Sequence, residues 1–477
     1  MGTPADRAHA QRASPNAVYD RARAAGVRLV RVAYCDNANL IRAKAAPLDS
    51  LGGILKYGVG FSVAQQALPI LGDTPLPASG LSPIGEVWLV PDPDTFTVLP
   101  YNQGAAVMLG DFQTEPGGPW AHDPRACLRR AAEAAAADGL EVQAAFEPEF
   151  YLLRPAAGGT PGGAGSSYMV AGRESAGGYE PIDRTNFAMT IAHDAAHETL
   201  RDLVDTLNTM GLDVALIYPE SGPGQFEVSI RHAHALAAAD RHILLREGVR
   251  GVATHHGLAA SFAPAPFAAS AGSGCHLHMS LWRDEQNVMY DEHDRLHLSP
   301  LAYSWIAGVL AHLPALCALV APSVNSYARL RPYSWAGAFA CYGPENREAA
   351  IRVITPRRGP ALCNIELKTC DGSANPYLAL AGVIAAGLDG VRRKLAPGDP
   401  VEVDPASLPE PERRKRGIVP LPATLGEAAD ALENDGTIQE ILGAPLTRSF
   451  LAVRRGEWDA LRDLEPAAVA QRHLLVY

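Results

Sequence analysis

Ionisable side chains in this chain recur at a spacing of two residues. Three pairs share that spacing: Glu147 and Glu149, His276 and His278, and Glu366 and Lys368. Side chains two apart on a strand point to the same face, so each pair offers two polar groups to one cavity. Glu220 and Glu227 are seven apart, but the Gly-Pro-Gly turn between them can bring both carboxylates back together.

Glutamates and a histidine that converge in this way are typical ligands of a hard divalent cation. Carboxylate oxygens favour Mg²⁺ or Mn²⁺, and a set so rich in carboxylates is unlike a structural zinc site. Any one pair alone could be a solvated strand edge. Four such segments, each embedded in apolar strand sequence, together favour a metal site.

Three arginines, Arg329, Arg347 and Arg352, lie between the histidine pair and Glu366 in the chain. A guanidinium keeps its charge and binds two oxygens with its planar fork, so arginines beside a carboxylate-metal cluster suit phosphate and carboxylate groups. The alternative is that they are surface arginines paired with neighbouring glutamates.

The elements that would position these residues are strands and helices of mixed order. Residues 27–34 and 86–90 are β-prone and end at turn residues, which predicts a small β-rich N-terminal domain. From residue 106 onward the pattern predicts a helix that begins at Asp123-Pro124 and ends at Gly139, then a strand over 146–153. Residues 155–178, rich in Gly and Ala, are predicted to be a flexible insertion.

The amino-acid composition limits which classes of molecule this protein can bind. The formal net charge is −11 and no run of Lys or Arg occurs, which argues against nucleic acid or an anionic membrane. No stretch of about 18 uninterrupted apolar residues and no signal peptide core is present, so we expect a cytoplasmic protein with no membrane span. The seven cysteines form no CxxC pair and predict neither a disulfide framework nor a thiolate zinc site.

Seven ordered motifs resemble the glutamine synthetase family over nearly the whole chain. They read FEPEFYLL, ESGPGQFEVSI, HGLAASFAPAPF, GSGCHLHMSLW, NSYARL, ENREAAIRV and IELKTCDGSANPYLAL. The resemblance implies an α+β protein with an N-terminal β-grasp domain over 1–105. It also implies a catalytic domain over 106–477, in which a curved antiparallel sheet and helices form the site.

The same resemblance implies a role for each site residue. One metal would be held by Glu149, Glu220 and Glu227, and a second by Glu147, His276 and Glu366. The residues expected at ATP are His278, Ser280 and Arg352, and those expected at glutamate are Glu149, Gly272, Arg329 and Lys368. The residues expected to act on the reacting groups are Arg347, Arg352, Lys368 and Trp335.

Two positions depart from the ammonia-using members of that family. The N-terminal aspartate that helps to bind ammonium has no counterpart in GVGFSVAQQAL, and Trp335 stands where the flap glutamate is expected. An indole in place of a carboxylate favours an amine that bears carbon over a small cation. The sequences GVGF, SWAGAF, ENREAA and IELKTCDGSANPYLAL resemble a divergent branch of that family. This branch includes bacterial gamma-glutamyl amine (polyamine) ligases and the synthetase-like domains of fungal and plant developmental proteins.

The resulting prediction is an ATP-dependent carbon-nitrogen ligase that forms gamma-glutamyl phosphate and transfers the acyl group to a primary amine. Glutamate and ATP would be co-substrates, with two or more Mg²⁺ or Mn²⁺ ions per site. The family implies a homo-oligomer, commonly a dodecamer of two hexameric rings. The alternatives are an ammonia-using glutamine synthetase, a non-catalytic scaffold or sensor, and a metal-dependent hydrolase of the HxH barrel type.

Overall fold

The N-terminal part of the chain is built on a sheet in which seven strands are described. The computed structural model describes residues 14–114, 117–156, 178–356 and 359–477. The strands of this sheet are β1 (Leu29–Cys35), β2 (Ile41–Pro47), β3 (Val59–Ser62), β4 (Glu86–Pro91), β5 (Thr97–Val98), β6 (Ala105–Thr114) and β7 (Gly118–Pro119). Helices α1 (Pro15–Ala24) and α2 (Leu51–Tyr57) accompany it.

The strand order is β2-β1-β6-β4-β3, with β5 and β7 paired to β6. Strand β1 runs antiparallel to β2 and parallel to β6. Helix α1 contributes Val18 to a buried cluster with Val30, Phe96 and Met108 on the sheet. Strands β6 and β7 follow residue 105, so the division of the chain after that residue stays a prediction and the strand pairing favours a later one.

A second sheet, with twelve strands among the described residues, carries most of the predicted site. Its strands are β8 (Glu141–Pro155), β9 (Tyr179–Pro181), β10 (Val214–Pro219), β11 (Gln225–Ile230), β12 (Ala233–His234), β13 (Ala259–Ser261), β14 (Cys275–Arg283), β15 (Gln286–Asn287), β16 (Phe339–Pro344), β17 (Ala349–Ile354), β18 (Asn364–Leu367) and β19 (Val419–Pro420). The main order is β10-β11-β8-β14-β18-β17-β16-β19. The β16–β17 pair is parallel, and the other pairs along this path are antiparallel. The expected α+β class, with a curved antiparallel sheet in the second part, is confirmed.

Helices surround this sheet. They are α3 (Pro124–Ala137), α4 (Thr190–Thr209), α5 (Ala235–His255), α6 (Pro300–Val320), α7 (Ser326–Arg329), α8 (Pro376–Arg393), α9 (Glu410–Lys415), α10 (Leu425–Glu433), α11 (Gly436–Leu442), α12 (Ala444–Leu461) and α13 (Pro466–His473). Helix α3 begins and ends as its sequence predicts, since the Asp123 carboxylate accepts the Arg125 N–H and Gly139 has a positive φ of 71°. Strand β8 is longer than predicted at both ends. Most of the Gly/Ala-rich segment lies outside the described residues.

Helices α6 and α8 pack closely at two glycines. A Cβ on Gly308 would lie 2.1 Å from the carbonyl oxygen of Ala386, and one on Gly390 would lie 2.1 Å from that of Ser304. Helix α6 is long and apolar enough to cross a membrane by length and composition, but 72% of the apolar window is buried inside the protein. The apolar surface of α6 is therefore that of a core helix.

An arginine on α3 joins the two sheets. The Arg125 guanidinium lies 2.9 Å from a carboxylate oxygen of Asp92 and 2.8 Å from one of Asp111, both in the N-terminal part. It also lies 2.8 Å from Asp240 on α5, which accepts the Tyr377 hydroxyl at 2.7 Å. Arg125 is almost fully buried. Three carboxylates from separate elements therefore converge on one buried cation.

Replacing Arg125 by methionine should destabilise the protein strongly. The change leaves buried carboxylates without their cation, which costs on the order of 3–5 kcal/mol. The matched change is Arg129→Met, because Arg129 also pairs with Asp111 but is partly exposed, and such a pair contributes about 0–1 kcal/mol. Denaturant unfolding of both variants measures the difference, and equal losses would contradict a special role for Arg125.

Candidate active site

Strand register places the predicted ligands directly opposite one another across neighbouring strands. The opposed pairs are Glu227 with Glu149, Glu147 with His276, Glu366 with His278, and Glu366 with Arg352. These pairs run diagonally across β11, β8, β14, β18 and β17. Opposed residues share a face of the sheet, so the whole set faces one cavity.

His276 stands at the centre of the carboxylates. Its Nδ1 lies 3.3 Å from Glu366 Oε1 and 3.9 Å from Glu227 Oε2, and its Nε2 lies 3.5 Å from Glu149 Oε1. Burial, with help from the nearby Lys368 charge, lowers the pKa of His276 to about 3. The ring is therefore neutral at pH 7, the form in which histidine binds a metal.

His278 occupies the other end of the same strand face. Its Nε2 lies 3.3 Å from Glu147 Oε2 and 3.9 Å from Glu366 Oε1, while Nδ1 lies 3.0 Å from Asn364 Oδ1. Burial opposes the charged ring, but the contact with Glu147 raises the pKa of His278 above its usual value. The pKa values of the two histidines are therefore shifted in opposite directions although the residues are two apart.

The negative charge of the site carboxylates exceeds the positive charge of the described cationic side chains around them. Burial, followed by the charges of Glu147 and Glu149, raises the pKa of Glu227 well above its usual range. Burial and the Glu220 charge raise the pKa of Glu149 to about 7. Ionised carboxylates kept this close are stabilised by a divalent cation, so the residues fit a metal site.

Two groups could each hold a metal ion, with ligand atoms within 4.8 Å of one another. One contains Glu147, Glu227 and His276, and the other contains Glu147, His278 and Glu366. They share Glu147 and include His278, which the resemblance placed at the nucleotide. The ligand sets that the resemblance implies are Glu149, Glu220 and Glu227 for one ion, and Glu147, His276 and Glu366 for the other. These sets divide much the same residues differently between the two ions, and they stay a prediction.

Three polar residues that the sequence reasoning missed orient the ligands. The Gln225 side-chain amide donates to Glu149 Oε2 at 2.9 Å, the Tyr218 hydroxyl donates to Glu227, and the Ser229 hydroxyl donates to Glu147. All lie two residues from a predicted ligand or directly across from one. The period-two rule that selected the glutamates could therefore have found them.

Lys368 and Arg352 surround the Glu366 carboxylate. Lys368 Nζ lies 3.1 Å from Glu366 Oε1 and 3.3 Å from His276 Nε2. Arg352 Nη1 donates to Glu366 Oε2 at 3.1 Å, and Nη2 donates to Glu345 Oε2 at 2.6 Å. Although burial acts in the opposite sense, Lys368 and the histidines hold the pKa of Glu366 well below its usual value. Glu366 is therefore anionic throughout the neutral range.

The Arg329 guanidinium donates mainly to main-chain carbonyl oxygens of this protein. Its Nη2 donates to the carbonyl oxygens of Lys368, Thr369 and Cys370 at 3.0, 3.1 and 2.7 Å. Its Nε is buried and has no partner among the described residues. A Cβ on Gly272 would lie 2.5 Å from Arg329 Cγ, so the glycine permits this close approach. Gly272 and Arg329, two of the residues predicted to bind glutamate, are thus in contact.

Comparisons with known proteins agree on one family. Residues 14–120 match the glutamine synthetase N-terminal domain, and residues 121–470 match the glutamine synthetase catalytic domain. The chain belongs to the glutamine synthetase family. Enzymes of this family are ATP-dependent ligases that use glutamate and either ammonia or an amine, so this protein is a ligase of that type.

Individual relatives cover nearly the full chain. Gamma-glutamylpolyamine synthetase GlnA3 of Streptomyces coelicolor is 38% identical over 95% of this chain and 94% of its own length. The glutamine synthetase of Mycolicibacterium smegmatis is 34% identical over 92% of this chain and 94% of its own. A solved novel glutamine synthase homolog superposes with a TM-score of 0.81 at 34% identity, covering 94% of this chain and 99% of its own.

Other residues expected from the glutamine synthetase pattern lie at the rim. Ser280 is buried on β14 and its hydroxyl accepts the Trp282 indole N–H at 2.8 Å. Trp335 is 59% exposed, with a positive φ of 57°. Arg347 is exposed in the connection between β16 and β17 and makes no hydrogen bond or ion pair with any described residue. The structure therefore does not bring Arg347 to the carboxylates.

Replacing Glu227 by glutamine tests the metal site without an assay of enzyme activity. A ligand that binds the folded state raises its stability by about 2.7 kcal/mol at 100 times its Kd. We expect Mn²⁺ or Mg²⁺ to raise the thermal unfolding midpoint of the wild type. In Glu227→Gln the increase should shrink by more than about half, while the chelator-treated variant keeps or gains stability because one repelled carboxylate is gone.

The control for this variant is Glu402→Gln, since Glu402 is an exposed carboxylate that pairs with Arg295 away from the site. Thermal melts with EDTA and with added metal give the comparison. An unchanged metal response in Glu227→Gln would remove Glu227 from the metal site.

Proposed function

We propose that this protein is a glutamate–amine ligase. It uses ATP to phosphorylate the γ-carboxylate of glutamate and transfers the γ-glutamyl group to a primary organic amine, which yields a γ-glutamyl amide and phosphate. The feature that carries this proposal is Trp335, an exposed aromatic residue that stands in the sequence where the family pattern has a carboxylate. The 38% identity to a gamma-glutamylpolyamine synthetase supports it.

The segment around Trp335 suits an acceptor that bears carbon. Residues 330–337 contain no Asp or Glu, and the segment exposes the aromatic rings of Tyr333 and Trp335. Both residues have positive φ, 60° and 57°, which is costly for aromatic side chains and persists where surrounding contacts hold the backbone. The Ser334 hydroxyl supplies one such contact by donating to the Arg329 carbonyl at 3.1 Å. Exposed rings offer apolar and cation–π contact to an organic ammonium.

The first half-reaction uses the residues of the sheet. We assign metal binding to Glu147, Glu149, Glu220, Glu227, His276 and Glu366, nucleotide binding to His278, Ser280 and Arg352, and glutamate binding to Glu149, Gly272, Arg329 and Lys368. Divalent ions, Mg²⁺ or Mn²⁺, supply charge neutralisation at the phosphoryl oxygens when bound. Arg352 and Lys368 lie where they add fixed positive charge, and we assign Arg347 to the same task if the connection that bears it closes over ATP.

Assembly and location follow the family in this proposal. We expect a homo-oligomer, a dodecamer of two hexameric rings, acting in the cytoplasm, where ATP and glutamate are supplied. Exclusion of water from the closed site would protect the acyl phosphate from hydrolysis.

The acceptor is identified by phosphate release from ATP with glutamate and Mg²⁺ or Mn²⁺. Ammonium is compared with a panel of monoamines, diamines and polyamines, and the product mass is measured. We expect the highest kcat/KM with an organic amine. Highest turnover with ammonium would instead make the protein a glutamine synthetase in activity, and no turnover with any acceptor would favour a non-catalytic scaffold.

Replacing Trp335 by alanine should affect the acceptor step selectively. Loss of the ring should raise KM for the organic amine about tenfold, which corresponds to roughly 1.4 kcal/mol of contact. The matched variant Trp335→Phe keeps an aromatic surface and should stay close to the wild type. An equal rise in KM for ammonium and for the organic amine would show that Trp335 does not determine which acceptor is used.

A further inference from the structure

Glu348 lies in the turn just before β17. Arg352 is opposite Glu366, and the Lys368 N–H donates to the Ala350 carbonyl at 2.9 Å. Arg352 and Ala350 therefore share a face with Glu366 and Lys368. Glu348 is two residues before Ala350, and the Lys368 charge acts on its carboxylate, so Glu348 lies near the Lys368 side of this face.

The partners of Glu348 leave its charge available. Its Oε1 accepts the backbone N–H of Trp335 at 2.9 Å, and it forms no ion pair with any described residue. Burial raises the pKa of Glu348 above its usual value, against the effect of the Trp335 hydrogen bond and of the Lys368 charge. A half-buried carboxylate with a neutral partner is a site for a cation.

Neighbouring carboxylates are already engaged. Glu366 is held by Lys368 and Arg352, and Glu345 is held by Arg352. The Glu147 carboxylate accepts the Ser229 hydroxyl and lies beside His278. Asp404, whose charge also acts on Glu348, accepts the Ala406 N–H. Among these described carboxylates, Glu348 has the Trp335 N–H as its partner and no ion pair, which leaves it for a substrate.

Close packing holds this segment against β17. A Cβ on Gly337 would lie 2.8 Å from Ala350 Cα, and the Thr369 hydroxyl donates to the Gly337 carbonyl at 3.4 Å. Together with the hydrogen bond from the Trp335 main-chain N–H to Glu348, these contacts hold the residue that bears the exposed indole next to the Glu348 carboxylate. A carboxylate and a residue with an exposed aromatic ring, held together in this way, offer contacts for the charge and for the carbon of an organic ammonium.

We propose that Glu348 is a catalytic residue of the acyl transfer, binding the ammonium form of the acceptor and taking one of its protons. This inference rests on the proposed ligase function. The neutral amine then uses its lone pair to form the C–N bond, and the C–O bond to phosphate breaks with its electron pair leaving on phosphate. The second proton lost by nitrogen goes to the departing phosphate, and the amide keeps the third.

The test compares Glu348→Gln with the wild type on two kinds of nucleophile. Alkylamines are mostly protonated at neutral pH, as lysine is, whereas hydroxylamine is largely uncharged. With the best acceptor amine, kcat/KM should fall about 100-fold or more, the range of general-base catalysis, while with hydroxylamine it should fall less than about fivefold. KM for glutamate and ATP should stay within about twofold.

Glutamine keeps an amide oxygen that can accept the Trp335 N–H, so a purely structural role for Glu348 would survive this change. Equal losses with the amine and with hydroxylamine, or no loss with either, would overturn the inference. Glu402→Gln serves as the surface control, and thermal melts check that each variant folds.

The wild-type acceptor panel separates the two proposals. If ammonium proves the best acceptor, the organic-amine function fails, and the comparison of ammonium with hydroxylamine in Glu348→Gln still decides the role of Glu348. A wild type that turns over neither ammonium nor hydroxylamine nor any amine overturns both.

Discussion

Several glutamates are crowded on one face of one sheet, and the cost of keeping their charges close together is the main electrostatic constraint on this protein. A buried carboxylate is costly unless a cation or hydrogen-bond donors compensate it, and like charges a few ångström apart raise that cost. Antiparallel register nevertheless places Glu227 beside Glu149, and Glu147 beside His276. The fold can retain such a site because strand pairing and the packed helices fix the backbone independently of these side chains. This concentration of negative charge suits the divalent ions that we propose for the site.

The two sides of this face are compensated differently. Towards β17 and β18, Lys368 and Arg352 neutralise Glu366, so that region carries cations suited to phosphoryl oxygens. Towards β10 and β11, the donors are neutral, chiefly Tyr218 and Gln225, which orient carboxylates without cancelling their charge. The side with neutral donors therefore keeps the stronger demand for a metal, and the side with cations is ready for a substrate that brings its own negative charge.

In the proposed reaction, acceptor chemistry depends on a short connection outside the sheet. The segment that bears Trp335 is attached at one end through Ser334 to the Arg329 carbonyl and at the other by the close approach of Gly337 to Ala350. Left-handed backbone at Trp335 would be unfavourable in isolation, and these attachments offset its cost. A few backbone contacts thus hold the residue that bears the exposed indole, so in this proposal the acceptor can change without any change in the sheet that carries the carboxylates.

The sequence by itself determined the class of protein, the α+β fold and the identity of most polar residues of the site. Period-two spacing needs only local geometry, which is why Glu147 and Glu149 could be assigned to one face in advance. What only the tertiary structure decided was which residues meet across strands. Register is a non-local property, so the contact of His278 with Glu147, the exposure of Arg347 and the approach of Glu348 to Trp335 have no signature along the chain.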